Sequence, residues 1–110
     1  MKDRARLSEE EAKREILRAR EAIDRVDEVL VKLLNQRIKY AVEIGELKSL
    51  LQMPIYSPDR EKEVLNNVER LSEGPLEPVT MRRLFERIVD EARRIERETS
   101  EMKKQRGEKS

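Results

Sequence analysis

The sequence predicts an all-α fold of three helices with a very long first one, and three observations carry that prediction. Apolar residues recur at helical spacing and form no strand pattern. Six positions spaced seven apart, Ile16, Ile23, Leu30, Arg37, Ile44 and Leu51, make a column in which five are aliphatic. The prolines at 54, 58, 75 and 78, with Gly74 beside one of them, fall in two clusters that cut the chain into three.

The first helix is expected over about residues 8–51. Ser8 with Glu11 fits a capping box, and from there to Leu51 no proline appears and Gly45 is the one strong helix breaker. Two turns of helix are about seven residues, so the aliphatic column marks one face. The segment from Met53 to Pro58 carries two prolines and must be a loop. A second helix then runs over about 58–73, capped by Ser57, with Pro58 at its first position and Asp59 and Glu61 in its first turn. Its apolar stripe is Val64, Leu65, Val68 and Leu71. Gly74 and Pro75 stop it, and a third helix follows over about 78–99 with the stripe Met81, Phe85, Ile88, Ala92 and Ile95. The charged tail 100–110 is expected to be disordered.

A first helix of that length spans roughly 65 Å at about 1.5 Å per residue, whereas a compact domain of this size has a radius of gyration of about 13 Å. Two short helices hide only part of it. The column is therefore expected to be completed by a second copy, most simply an antiparallel homodimer of one domain, 1–110, per chain.

Alternate steps of four and three from Ile16 extend the column to Arg20, Asp27, Leu34, Ala41 and Lys48, a heptad seam with four charged interruptions. Three of the four, Arg20, Arg37 and Lys48, are cationic, and Asp27 can neutralise one neighbour. A guanidinium cannot shed its proton, and an unpaired buried charge costs several kcal/mol, so an anionic side chain or ligand should meet Arg37. Arg37 and Lys48, eleven residues apart, share a face and lie about 16 Å apart along the axis, within converging reach. Arg20 precedes Arg37 by about 25 Å, too far to join them within one chain, but an antiparallel partner brings its copy there. In a chain that is 45% charged most such side chains are simply solvated, and three on one seam are the exception.

Composition excludes several classes. The net charge is +1 and only Tyr40, Tyr56 and Phe85 are aromatic, which argues against nucleic acid as a partner. No run approaches the length of a membrane span and the N-terminal residues are charged, so the chain reads as cytoplasmic, with no membrane partner. With neither Cys nor His there is no thiolate nucleophile and no imidazole base, and neither a metal nor another cofactor is expected.

The run Ala22-Ile-Asp-Arg-Val-Asp27, then Leu33-Leu-Asn-Gln-Arg37, Ile44-Gly45 with Lys48, Pro54-Ile-Tyr-Ser-Pro-Asp-Arg-Glu61 and Arg83-Leu-Phe85 resembles the all-helical AroQ class of chorismate mutases. The likeness covers roughly residues 12–98 and implies an intertwined three-helix homodimer converting chorismate to prephenate on the route to Phe and Tyr. It implies that Arg37 holds a substrate carboxylate, that Arg20 does so from the partner subunit, and that Lys48 contacts a carboxylate and the ether oxygen. Arg60 and Glu61 match an Arg-Glu pair in which the glutamate binds the ring hydroxyl and the arginine adds positive potential. Glu96 matches the donor to the ether oxygen, a role open to a glutamate only when protonated. Two positions depart from the common pattern: Ser57 stands where many members have Asp, at the loop's backbone contact to substrate. Ala92 stands where some have a substrate-facing Ser.

This rearrangement is a unimolecular pericyclic shift that needs no nucleophile or metal, so a chain without His and Cys can perform it. Two rivals stand beside it. Isochorismate pyruvate-lyase uses the same scaffold and shares the Ala-Ile-Asp segment. A non-catalytic helical dimerisation or regulatory module would pair Arg20, Arg37 and Lys48 with its own carboxylates.

Overall fold

The first helix, α1, runs unbroken over Glu9–Leu51, 43 residues, in the computed structural model of the chain, which describes residues 6–105. It is followed by α2 (Pro58–Leu71) and α3 (Pro78–Gln105), and no strand occurs among the described residues. The chain comprises two compact units, one ending at Gln36 and the other beginning at Arg37.

The first unit is the N-terminal part of α1. Ser8 Oγ accepts a hydrogen bond from the Glu11 N–H at 3.1 Å, and the Ser8 carbonyl accepts from Ala12 N–H, so the expected cap starts the helix. Glu9, Glu10 and Glu11 occupy the positive end of the helix dipole. The aliphatic residues of this unit are exposed: Ile16 is 52% exposed and Leu30 49%, with Ile23, Val26 and Leu33 comparably open. Asp27 pairs with no cation among the described residues; it lies instead with Asp24 and Glu28 along a shallow open groove.

In the second unit the C-terminal part of α1 meets α3, which packs along α2. Its buried residues are small, Ala41, Gly45, Val89, Ala92 and Ser100, which lets helix backbones approach closely. At Gly45 the approach is backbone to backbone, since a Cβ there would sit 2.8 Å from the Glu96 carbonyl oxygen. The gap between α2 and α3 is filled by half-buried Val64, Leu65, Val68, Met81, Phe85 and Ile88. Arg82 on α3 ties the pair by donating to Glu69 at 3.1 Å and Asn66 at 3.3 Å on α2.

Helix α1 ends at Leu51, as expected, in a Schellman turn. Met53 N–H reaches the Lys48 carbonyl at 2.8 Å and Gln52 N–H the Ser49 carbonyl, with Gln52 left-handed at φ 56°. Two later boundaries differ from expectation. Helix α2 stops at Leu71 rather than 73, because Ser72 turns extended and its hydroxyl donates to the Leu76 carbonyl at 2.7 Å. Helix α3 continues to Gln105, so residues 100–105 of the tail expected to be disordered are helical. Ser100 is buried and Lys103 pairs with Glu46 of α1 at 3.2 Å, contacts that hold the extra turn down. Residues 106–110 lie outside the described residues.

Candidate active site

The charged residues singled out on the C-terminal part of α1 converge with the start of α2 and the middle of α3. Lys48 points its ammonium at the α1–α2 loop and at α3. Its Nζ donates to the Ile55 carbonyl at 2.8 Å and stands 3.7 Å from Glu96 Oε1, with side chains only 16% and 13% exposed. Ammonium carries three donors and only the one to Ile55 is in a hydrogen bond, so N–H donors remain uncommitted. An open cavity of about 490 Å³ borders Lys48 on the side of Met53, Ser100 and Lys104.

Arg37 is half-buried and makes neither a hydrogen bond nor an ion pair among the described residues. Burial pushes its pKa below the usual arginine value and the nearby Arg60 pushes it the same way, while Glu96 opposes them. It stays charged, because no protein environment strips a guanidinium. Arg60 has its own partner in Glu63 and Glu96 already faces Lys48, so Arg37 is the cation of this group left without an ion pair among the described residues.

Glu96 sits one turn beyond buried Ala92, where burial raises its carboxyl pKa. Lys48 lowers that pKa by its charge, Glu61 raises it further and Arg37 lowers it, and the net direction is upward. Arg60 and Glu61 fall at the first turn of α2. Arg60 is exposed and pairs with Glu63, whereas half-buried Glu61 faces α3.

Ser57 corrects one expectation. It occupies the N-cap position of α2, but its hydroxyl makes no capping bond; its carbonyl accepts the Glu61 N–H at 3.0 Å instead. Its φ and ψ of −128° and 85° and Pro58 at N1 start the helix without a side-chain cap. Arg20 lies in the first unit, exposed and without an ion pair among the described residues. Ala92 is packed in the core.

Lys48 also departs from expectation, since it faces a carboxylate of its own chain as well as open space. Arg37 is therefore the residue that separates a ligand site from a structural ion pair.

One residue escaped the sequence reading. Arg93 on α3 places Nε 3.5 Å from Glu61 Oε2 and its guanidinium carbon 5.2 Å from the centre of the Tyr56 ring. The spacing of three between Arg93 and Glu96 puts both on neighbouring positions of one helix face, the one signal that could have flagged it.

A profile of the family described as chorismate mutase type II matches residues 19–97. The chain belongs to the chorismate mutase type II family. Among curated relatives, the bifunctional chorismate mutase/prephenate dehydratase of Neisseria gonorrhoeae is 40% identical over 78 residues, 71% of this chain and 21% of that protein. The T-protein of Enterobacter agglomerans is 33% identical over 96 residues, 87% of this chain and 24% of that protein. The chain thus spans under a quarter of the length of these relatives. A solved structure of a chorismate mutase (Form II) from Thermus thermophilus is also similar. It has a TM-score of 0.73 and 34% identity, covering 76% of this chain and 94% of that one. The family match includes Arg20, Arg37, Lys48, Arg60, Glu61 and Glu96 and stops short of the last turns of α3. Among the described residues no acidic cluster is arranged to hold a metal ion, and no helix is long and apolar enough to cross a membrane.

Proposed function

We propose that this chain is a chorismate mutase, catalysing the intramolecular rearrangement of chorismate to prephenate in the cytoplasm, on the route to phenylalanine and tyrosine. The observation that carries this reading is Arg37: half-buried, next to a second arginine and without an ion pair or hydrogen bond among the described residues. That arrangement is costly for a structural charge and suited to an incoming dianion. In the reaction the ether C–O bond breaks as a C–C bond forms in the same molecule, and no proton must enter or leave. The residues need only hold the compact diaxial conformer and oppose the negative charge growing on the ether oxygen. Arg37 clamps one carboxylate and Arg20 of a second copy the other. Lys48 uses its uncommitted N–H on the ether oxygen, Glu96 assists when protonated, and Glu61 takes the ring hydroxyl beneath the positive potential of Arg60. The loop at Ser57 offers backbone contacts, and Ala92 contributes shape alone.

Ultraviolet assays of the purified chain with chorismate, and separately with isochorismate, test the reading directly. Loss of chorismate absorbance with prephenate as product supports it. Pyruvate release from isochorismate without chorismate turnover would move the chain to the lyase reading, and inertness toward both would leave the interaction module.

A homodimer follows from the same reading, because the open aliphatic column of α1 needs a cover and Arg20 needs a substrate. Mixing inactive Arg20→Ala with inactive Arg37→Ala chains is expected to restore activity, since half the sites of a mixed dimer carry neither substitution. Verified subunit exchange without recovery would rule out the shared site.

Glu96 sets the pH dependence. Its pKa is raised, chiefly by burial, and only its protonated form can donate to the ether oxygen. Activity should therefore be full below that pKa and fall as pH rises through it. Glu96→Gln, a permanent donor of similar shape, is expected to keep substantial activity and flatten the alkaline limb, read from kcat/KM against pH. An unchanged limb would remove Glu96 from the chemistry.

A further inference from the structure

Arg93 binds three elements at once. From α3 its Nη2 lies 2.5 Å from Asp90 Oδ1 one turn back, its Nε 3.5 Å from Glu61 Oε2 at the head of α2, and its guanidinium carbon 5.2 Å from the centre of the Tyr56 ring of the α1–α2 loop. We propose that Arg93 is a positioning residue for Glu61, fixing that carboxylate and the Tyr56 loop so that Glu61 meets the substrate's ring hydroxyl already oriented and with its charge balanced. This deepens the mutase reading and rests on it.

Three features separate this from an ordinary surface pair. An exposed helical Arg–Asp pair three residues apart contributes little, and Asp90 alone would be that. Arg93, however, is 24% exposed and Glu61 23%, so their contact is largely shielded. Besides its 2.5 Å contact to Asp90 on its own helix, the guanidinium reaches Glu61 of α2 and lies over the Tyr56 ring of the loop, a cation–π contact. Nε stands 3.5 Å from Oε2 of Glu61, an ion-pair contact rather than a hydrogen bond, so the carboxylate keeps acceptor capacity for a hydroxyl.

The electrostatics point the same way. Glu61 lies close enough to Glu96 to disturb its titration, so an unbalanced Glu61 would also repel a dianion bound beside them. Arg93 offsets that charge from α3, the opposite element to those carrying Arg37 and Arg60. A lysine could supply the charge but not a broad guanidinium that meets Asp90, Glu61 and the Tyr56 ring at once.

The test is steady-state kinetics of the full chain with chorismate, alongside circular dichroism. Arg93→Gln is expected to raise KM about tenfold with kcat held within about threefold, because an oriented hydroxyl contact present in both ground and transition states acts on binding. Arg93→Lys should recover part of that loss, leaving KM about threefold above wild type. In a Glu61→Gln background, Arg93→Gln should change KM by less than about twofold, since the group it positions is gone. An unchanged KM, or the same tenfold rise with Glu61 already replaced, overturns the proposal. If Arg93→Gln loses its helical signal, Arg93→Lys decides, and a wild-type KM there overturns it too. Failure of the wild-type chain to turn over chorismate would instead remove the mutase reading and this role with it; a turning-over wild type with an indifferent Arg93 removes the role alone.

Discussion

Replacing Arg37 by alanine is expected to lower kcat/KM about 10³-fold or more, roughly 4 kcal/mol of transition-state stabilisation, while leaving the helical fold intact. The expectation follows from what Arg37 lacks. No carboxylate of the described residues would be stranded by its removal, and the two largest influences on its charge, burial and Arg60, both disfavour it. Thermal stability should stay level or rise slightly when it goes. Lys48→Ala is expected to cost as much activity, with a different structural signature. The Ile55 carbonyl loses its 2.8 Å donor and Glu96 loses the cation that holds its pKa down, so the carboxyl should stay protonated to still higher pH. Loop order should suffer modestly at Ile55, by about 1 kcal/mol for one such bond. Circular dichroism melts and kcat/KM measured on the same preparations decide the matter. Were Arg37→Ala to lose activity only in proportion to lost helix, the residue would be structural and the ligand reading would fall.

The parts legible in the sequence are those governed by local chemistry. Pro58 and Pro78 sit where proline's fixed φ suits the first position of a helix, and both helices begin there. The α1 helix is readable because a periodic aliphatic column at this spacing marks one helix face. The misjudged ends depend on contacts between distant residues. Nothing local announces that Ser100 will be buried or that Lys103 will meet Glu46, so the tail's charge argues for disorder where tertiary contacts accompany a helix to Gln105. Gln52 takes a left-handed conformation that sequence reasoning reserves for glycine. The candidate site divides in the same way. Arg37 and Lys48 betray themselves by interrupting an apolar seam, whereas Arg93 interrupts nothing and gains its meaning only when the Tyr56 loop and Glu61 are folded against it.

Gly45 carries the second large effect, and here local and tertiary preferences oppose each other. Glycine inside a helix costs about 1 kcal/mol relative to alanine, so Gly45→Ala would stabilise an isolated α1 by that amount. In the folded chain the added Cβ would lie 2.8 Å from the Glu96 carbonyl oxygen and 3.0 Å from its Cα. Both are backbone atoms, so no side-chain rotation relieves the clash and the helices themselves must separate. Overpacking of this kind costs about 1–3 kcal/mol for one added group, enough to cancel the propensity gain and reverse its sign. We expect Gly45→Ala to lower Tm by several degrees, about 4–8 °C for each kcal/mol of net loss, and Gly45→Val to lower it further. The displaced residue is Glu96, whose carboxylate stands 3.7 Å from Lys48 Nζ, so the shift should also cost catalysis. A misplacement of about 1 Å can reduce rate about 100-fold, and kcat should drop in the folded fraction even below the melting transition. A Gly45→Ala chain that melted higher than wild type at undiminished kcat would mean that α1 and α3 do not meet at this crossing.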